Sequence, residues 1–503
     1  MSTATNGSAA TPDQPLLFEA AALPEATRAQ QPIPMAPAPR LLQARRDQVE
    51  LRPCDLESCL AADHEARAVW AFVQALDLRP LYAQIRSVVG SPGAPAIDPA
   101  ILMALWLWAT IDAVGSAREV ARLCERDDAY RWLCGGVGVN HHTLADFRTA
   151  QGAWLDEQLT RSITALMQRR LVTLEVIAQD GLRVRAAAKA SSFRRQSKLK
   201  QLREQALLQV SSLKAELDAD ASAGTRRKQA ARERAARERE QRLAQALDTL
   251  HAIEQQAQQR TLDKAARRKA KGHSKRNRND QPPPPPSASS GEPAQPATPA
   301  VPAEPVNNSQ ARPEREPRVS TTDPEARVMK MADGGFRPAY NVQLAVDEAT
   351  QLITAVEVVD QGSDMHQMQP MHAQVVQRYG CTPKYWLVDG GYPKHEAIEH
   401  LSGCGTQPVA PPARGRTGTL DPLAVRPSDS APLAQWRRLM ASEQGQALYR
   451  RRAASIECAN AQLRRRGLYG VNVRGKLKAR AVLLWHALAH NLMRMRSLGI
   501  AFA

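Results

Sequence analysis

The chain has 503 residues, which is enough for more than one domain, and its net charge of +17 favours a polyanionic partner such as nucleic acid. Aromatic residues make up only 4% of it, which argues against a stacking platform for single strands. The seven cysteines are scattered without a C-x-x-C pair, which argues against a zinc ribbon or a disulfide scaffold and favours a reducing cytoplasm. We expect no signal peptide, and the longest apolar stretch is too short to span a bilayer, so we also expect no membrane association.

The N-terminal third is predicted to be helical behind a disordered tail. Residues 1–45 are rich in Ala, Pro, Thr and Gln, a composition typical of disorder. Residues 46–170 read as an all-α domain, with Asp98 capping one helix in front of a proline and Ser116 opening a capping box. Short capped helices are compatible with a DNA-reading helix-turn-helix and with a plain helical bundle.

The hydrophobic period changes to that of strands at residue 171. The stretch "LVTLEVIAQD" predicts a strand that ends on Asp180, and "LRVRAAA" predicts its hairpin partner after Gly181. An isolated Asp-Gly is ordinarily a turn. The basic residues that follow Asp180 leave a second interpretation open, in which this carboxylate holds a metal ion where a polyanion is cut.

A helical insertion and a linker follow. Residues 199–280 carry two leucine stripes separated by charged residues, which predicts a basic helical hairpin or coiled-coil arm. Its last part, residues 264–279, holds eight basic residues and no acid, and either a solvated tail or a phosphate-binding strip fits that pattern. Residues 281–318 are predicted to be a proline-rich linker without a core.

Two further acids stand out beyond the linker. The stretch "PKYWLVDGGY" predicts a buried strand that ends on Asp389, and long helices are expected from about residue 432. Glu457 is the one acid among ten Lys and Arg residues between positions 450 and 480. Adjacent carboxylates repel each other unless a cation lies between them, and a third carboxylate would complete a two-metal site for phosphodiester chemistry. Taken alone, Glu457 also fits an exposed basic helix with an incidental acid.

Together these motifs resemble those of bacterial insertion-sequence DDE transposases. "AQDGLRVRAAA" and "LVDGGY" are similar to the first two acidic motifs of that family. The third resembles the branch with a Tyr-Arg-Glu-Lys signature, represented here by Tyr449, Arg452 and Glu457, with Arg464 in place of the usual Lys. "HHTLADFR" resembles part of the family's helical N-terminal domain, and the resemblance covers residues 46–200 and 319–497.

The resemblance implies an α/β fold with a ribonuclease H-like catalytic core, which is a mixed sheet flanked by helices. That core would comprise residues 171–198 and 319–503, joined to the all-α N-terminal domain and interrupted by the arm. The implied activity is Mg²⁺-dependent cleavage at insertion-sequence ends and strand transfer into target DNA, with Mn²⁺ able to substitute. The resemblance implies that three acids are catalytic metal ligands, namely Asp180, Asp389 and Glu457. It implies that three other residues contact DNA phosphates, namely Tyr449, Arg452 and Arg464.

The implied partner is double-stranded DNA, both transposon ends and target, bound by a homodimer at the nucleoid in the bacterial cytoplasm. Two other functions stay open: a transposase-derived DNA-binding protein without cleavage, and a ribonuclease H-fold nuclease without strand transfer. Asp364 is a further candidate acid, although we expect it to be a helix N-cap.

Overall fold

A computed structural model describes most of the chain beyond residue 54, and the described residues belong to one compact unit, 55–503. The described ranges are 55–88, 90, 94–219, 223–279, 316–412 and 421–500. The predicted tail 1–45 and nearly all of the predicted linker 281–318 lie outside these ranges. No helix within them is long and apolar enough to cross a membrane.

The N-terminal part is helical, as predicted. Its helices are α1 (Glu65–Gln74), α2 (Arg79–Tyr82), α3 (Pro99–Ile111), α4 (Ala117–Arg126), α5 (Asp128–Cys134), α6 (His141–Ala150) and α7 (Gly152–Gln168). The predicted caps are confirmed, since the Asp98 carboxylate accepts a hydrogen bond from Ala100 N at 2.8 Å and the Ser116 hydroxyl accepts one from Glu119 N at 3.4 Å. Local capping chemistry therefore fixes where α3 and α4 begin.

The strands form a mixed sheet with β1 at its centre. They are β1 (Val176–Arg185), β2 (Phe193–Arg194), β3 (Val319–Ser320), β4 (Arg327–Lys330), β5 (Phe336–Asp347), β6 (Ile353–Val359), β7 (Tyr385–Leu387) and β8 (Gln407–Val409). The order is β4-β5-β1-β7-β8, with β6 also paired to β5, while β2 and β3 form a separate pair. Strands β4, β5, β6 and β1 pair antiparallel, and β1, β7 and β8 pair parallel.

The hairpin predicted at Asp180 is wrong. Strand β1 runs without a break through Gly181, and β5 pairs with it from Ile177 to Arg185. The sequence around Gly181 resembles a turn, but both halves of β1 take their antiparallel partner from a strand more than 150 residues away. Asp180 therefore lies in the middle of a strand rather than at its end.

The remaining helices form the arm and the C-terminal half. They are α8 (Gln196–Ala219), α9 (Ala223–Asn279), α10 (Met368–Tyr379), α11 (His395–Gly403), α12 (Ala431–Ala441), α13 (Glu443–Arg452), α14 (Cys458–Arg465) and α15 (Lys476–Ser497). A π-helical turn, Ala453–Glu457, joins α13 to α14. Helices α8 and α9 pack on each other, and Arg203 pairs with Glu240 across them at 3.1 Å.

The N-terminal helices and the sheet share one hydrophobic core, which extends on both sides of α15. Helix α15 packs against α3, α6, α7 and β6, and the indole of its buried Trp485 donates to Arg148 O at 2.9 Å. Asp156 of α7 pairs with Arg378 at 2.6 Å and with Arg480 at 3.0 Å. This core continues across residue 170 and does not mark a domain boundary there. The boundary predicted at that residue therefore stays a prediction.

The arm has a small core of its own. Its buried apolar residues are Leu199, Ala206, Leu243, Ala246, Leu247, Leu250 and Val319. The only contribution from outside the two arm helices in this cluster is Val319 of β3, within the described residues. The arm is thus anchored at its base, where the chain leaves and re-enters the rest of the fold.

Candidate active site

Asp180 lies on β1, and Asp389 lies two residues past the end of the neighbouring parallel strand β7. In the register of β1 with β7, Ala178 is paired with Leu387, so each aspartate follows its paired residue by two positions. One oxygen of Asp389 accepts a hydrogen bond from Gly391 N at 2.8 Å, which fixes the carboxylate at the end of β7. The two acids are 209 positions apart in sequence, and the sheet brings them to the same level.

The electrostatic environment of Asp180 reflects this crowding. Burial raises the pKa of Asp180 to about 6, Arg452 opposes that rise, and Asp389 and Asp364 add to it. Each nearby carboxylate disfavours the charged form of the others, whereas a cation favours it. The site is therefore short of positive charge.

Arg452 provides the cation, and it connects Asp180 to Glu457. Its guanidinium lies 3.0 Å from Asp180 Oδ1 and 3.2 Å from Glu457 Oε1. Arg452 is only 7% exposed, whereas the Glu457 side chain is 57% exposed. The π-helical turn makes this pairing possible, because residues five apart come closer to one face in an i→i+5 turn than in an α-helix.

Asn460 is a site residue that the sequence did not reveal. Its amide nitrogen donates to Asp180 Oδ2 at 2.9 Å, so each carboxylate oxygen of Asp180 is held by the segment that carries Glu457. Its own Oδ1 is buried without a hydrogen-bond partner in the described part of the chain. The available signal was its spacing, since a residue three positions after Glu457 lies on the same helix face.

Asp364 is not a helix cap, which corrects the expectation from the sequence. Helix α10 begins at Met368 after Gln367, and no side chain caps it. Asp364 instead accepts hydrogen bonds from Asn341 at 2.7 Å and Gln343 at 2.8 Å, both on β5. It is a half-buried acid on the face of β1 opposite the Asp180 side chain, and its hydrogen bonds fix it to the sheet.

Gly181 leaves the space that Asp364 occupies. A Cβ at this position would lie 2.1 Å from Asp364 Oδ1, far inside van der Waals contact. Arg183, two residues further along β1, pairs with the other Asp364 oxygen at 3.1 Å. The glycine that resembled a turn signal is therefore required by a close approach within the sheet.

Tyr449 and Arg464 lie on either side of this centre along the helices. Burial raises the pKa of Tyr449, and Asp389, Glu457 and Asp180 add to the rise while Arg452 opposes it. Arg464 is half-buried, and its guanidinium lies 5.9 Å from the centre of the Tyr469 ring. The structure thus brings Tyr449 near the three acids, and it gives Arg464 no ion pair among the described residues.

The donor set fits a divalent metal in its chemistry. Asp180, Asp389 and Glu457 offer hard carboxylate oxygens, which Mg²⁺ prefers, and a cation would relieve their repulsion. Among the described residues, no group of three or more His, Cys, Asp or Glu side chains is arranged so that it could hold a metal ion. We attribute this to Arg452, because a guanidinium between Asp180 and Glu457 holds the two carboxylates apart. A metal bound by both acids would take over its position.

Two models of known families match parts of the chain. Residues 314–492 match the family described as "Transposase DDE domain", a range that contains Asp389 and Glu457 but not Asp180. Residues 55–150 match the family described as "Transposase domain (DUF772)". Comparisons with curated proteins and with solved structures found no match. The two family matches, one in the N-terminal helices and one in the C-terminal half, show that the chain belongs to the insertion-sequence DDE transposases.

Proposed function

We propose that the chain is an active transposase with a ribonuclease H-like core, which cleaves DNA at insertion-sequence ends and joins the freed 3′ ends to target DNA. The observation that carries the proposal is the placement of Asp180 beside Asp389, with Glu457 linked to Asp180 through Arg452. The mixed sheet with helices packed on it supports the proposed core. The family match supports a role in DNA transposition.

Asp180, Asp389 and Glu457 would hold Mg²⁺, or Mn²⁺ in its place. When bound, the metal supplies activation of the attacking oxygen and neutralisation of charge at the phosphate. The chain's own residues orient the ligands: Asn460 holds one oxygen of Asp180, and it would keep this hydrogen bond when the metal takes the place of Arg452 at the other oxygen. Ligands held in this way lose little freedom on binding, which is the usual benefit of an outer layer of hydrogen bonds.

Tyr449, Arg452 and Arg464 are proposed to contact DNA phosphates next to the cut. Tyr449 and Arg464 are half-buried and reach solvent as they stand. Arg452 is buried against two carboxylates, so it reaches a phosphate only after it leaves them. Phosphate contacts of this kind add affinity without reading sequence.

The proposed partners are double-stranded transposon ends and target DNA, bound by a homodimer at the bacterial nucleoid in the cytoplasm. The net charge of +17 supports a nucleic-acid partner. We keep the proposed domain organisation as well, with a catalytic part formed by 171–198 and 319–503, an N-terminal helical part and the arm.

A mobility assay in cells tests this function and separates it from the two alternatives. A donor plasmid carries the gene between its own genomic flanks, and a second plasmid serves as target. The proposal predicts insertions bounded by a short target duplication, and none with Asp389→Asn. Donor cutting without insertion would indicate a nuclease, and DNA binding with neither cutting nor insertion would indicate a catalytically silent protein.

A further inference from the structure

A cleft separates helix α9 of the arm from residues 317–327, 360–366 and 474–478 of the C-terminal half. It consists of two hollows of about 750 Å³ and 440 Å³, both of which are lined by Glu325. Between Glu238 and Arg260, helix α9 lines the cleft with residues three or four positions apart, so a single helix face looks onto it. At 1.5 Å per residue this face is about 33 Å long.

The cleft has unbalanced positive charge. Seven Lys and Arg residues and four acids line it. Three acids form ion pairs with bases of the same cleft; these are Asp360 with Arg327 at 2.9 Å, Glu325 with Lys476 at 3.8 Å and Glu238 with Arg242 at 3.7 Å. The fourth, Asp323, is buried and accepts from Tyr340 and Gly475 N.

Four cations in the cleft are left without an acid partner among the described residues. They are Arg260, Arg318, Arg474 and Lys478. In addition, burial lowers the pKa of Arg242, and the nearby Arg474 lowers it further. Guanidinium groups that face each other across a cleft repel, and an anion between them removes that repulsion. The remaining α9 lining is mostly neutral, with glutamines able to donate hydrogen bonds to phosphate oxygens.

One end of the cleft reaches the loop that leads into Asp364. The loop Gln361–Ser363 lines the larger hollow, and Asp364 follows it directly. Arg183 of β1 donates to Gly362 O at 2.9 Å, which ties this loop to the strand that carries Asp180. A chain lying in the cleft would therefore start beside this loop and continue along the arm.

We infer that this cleft binds the phosphate backbone of one DNA strand that runs from the loop Gln361–Ser363 along α9. The inference rests on the proposed function, and it gives the arm a role in holding substrate. A face of about 33 Å matches about ten nucleotide steps of 3.4 Å. The four unpaired cations neutralise phosphates without sequence preference.

Two neighbouring glutamines of α9 provide a matched test. Gln256 lines the cleft, whereas Gln258 is about 200° further round the helix, and both side chains are exposed. Gln256→Glu places a negative charge among the phosphates, so we expect the dissociation constant for a duplex of the gene's flanking DNA to rise about 3- to 10-fold in 50 mM salt. Gln258→Glu adds the same charge outside the cleft, and its affinity should stay within about twofold of the wild type.

A double variant tests the cations directly. Arg260→Gln with Arg318→Gln should lower the slope of log affinity against log salt by about two units. Lys200→Gln with Lys214→Gln removes the same charge from exposed positions of α8 outside the cleft and should leave the slope nearly unchanged. Melting temperatures confirm that the variants are folded.

Equal affinities for the two glutamate variants, or equal salt slopes for the two double variants, would overturn the inference. If the wild-type gene still moves in the mobility assay, that failure concerns the cleft alone. If the wild-type protein binds no flanking DNA and does not move, the proposed function fails, and the cleft proposal fails with it.

Discussion

Arg452 is the residue on which the charge balance of the candidate site depends. It is buried, it pairs with Asp180 and Glu457, and its Nε has no hydrogen-bond partner within the described residues. Removing one member of a buried pair leaves the other charge uncompensated, which costs more than the pair itself contributes. The same guanidinium would compete with a metal bound between the two carboxylates.

Arg452→Gln should therefore make the protein less stable and more responsive to metal. We expect the unfolding free energy to fall by about 2–3 kcal/mol at pH 8, below the value for a fully buried pair because Glu457 is exposed. Mg²⁺ should then raise the melting temperature of the variant more than that of the wild type, since no guanidinium competes. Calorimetry with and without Mg²⁺ measures both effects.

A nearby arginine of the same helix is the control for that experiment. Arg450 is exposed and forms no ion pair among the described residues, so Arg450→Gln should change stability by less than about 1 kcal/mol. Its response to Mg²⁺ should equal that of the wild type. An equal Mg²⁺ response in Arg452→Gln would show that Arg452 does not compete with metal.

Residue chemistry in the sequence was sufficient to single out the three acids but not their surroundings. Asp180, Asp389 and Glu457 could be named because each is an acid in an otherwise apolar or basic stretch. The contacts of Asp364 with Gly181 and β5, and of Asn460 with Asp180, join residues up to 280 positions apart. No local pattern encodes such pairs, because the sheet creates them.

At the scale of elements, the helix starts could be predicted from local sequence signals. The strand arrangement could not, because it depends on pairing with residues far away in the sequence. Asp98 and Ser116 cap as predicted because a cap acts within three residues. The hairpin at Gly181 failed because the partner strand is remote. In the arm, Leu207 is one of the leucines of the stripe predicted for residues 199–217. It is nevertheless 47% exposed, and Ala206 is buried instead, since close packing of α8 on α9 favours a small residue there.

Helix α15 gives a prediction about acid stability. His486 is buried in α15, burial lowers its pKa to about 3, and Arg148 and Arg466 add to the shift. The unfolded chain therefore binds a proton that the folded chain does not between about pH 6.5 and 3. Within that window, lowering the pH by one unit reduces the free energy of unfolding by about 1.4 kcal/mol through this group.

His486→Gln should flatten the dependence of stability on pH below 6.5. The exposed His400 provides the control, and His400→Gln should keep the wild-type slope. Urea unfolding at several pH values from 7 to 4 measures the slopes. A slope in His486→Gln as steep as in the wild type would show that this histidine does not contribute to acid unfolding.

On the scale of the whole molecule, the described residues form two hydrophobic cores, and the smaller one is made almost entirely by the arm. The large core joins the N-terminal helices to the sheet, and the small core lies within the arm. At the base of the arm, Arg194 of β2 is paired with Val319 of β3, so the two chain ends lie side by side. A short linker can therefore replace the arm.

Replacing residues 197–316 with a short Gly-Ser linker should leave the rest of the protein folded. We expect one cooperative transition with a melting temperature within a few degrees of the wild type, because the large core keeps nearly all its contacts. Circular dichroism should show a loss of helix. Loss of the cooperative transition would mean that the arm supports the core, and the proposed domain organisation would then be wrong.

The central claim is that Asp180, Asp389 and Glu457 act together at one catalytic centre. Its most direct test is the rate of Mg²⁺-dependent cleavage and joining of flanking DNA by Asp180→Asn, Asp389→Asn and Glu457→Gln. Glu443→Gln, an exposed acid on α13, is the control. We predict that each of the three variants loses at least about a thousandfold in rate, on the order of 4 kcal/mol in the barrier, while it still binds DNA and the control retains wild-type activity. A folded variant of any one of the three that cut DNA at the wild-type rate would contradict the account.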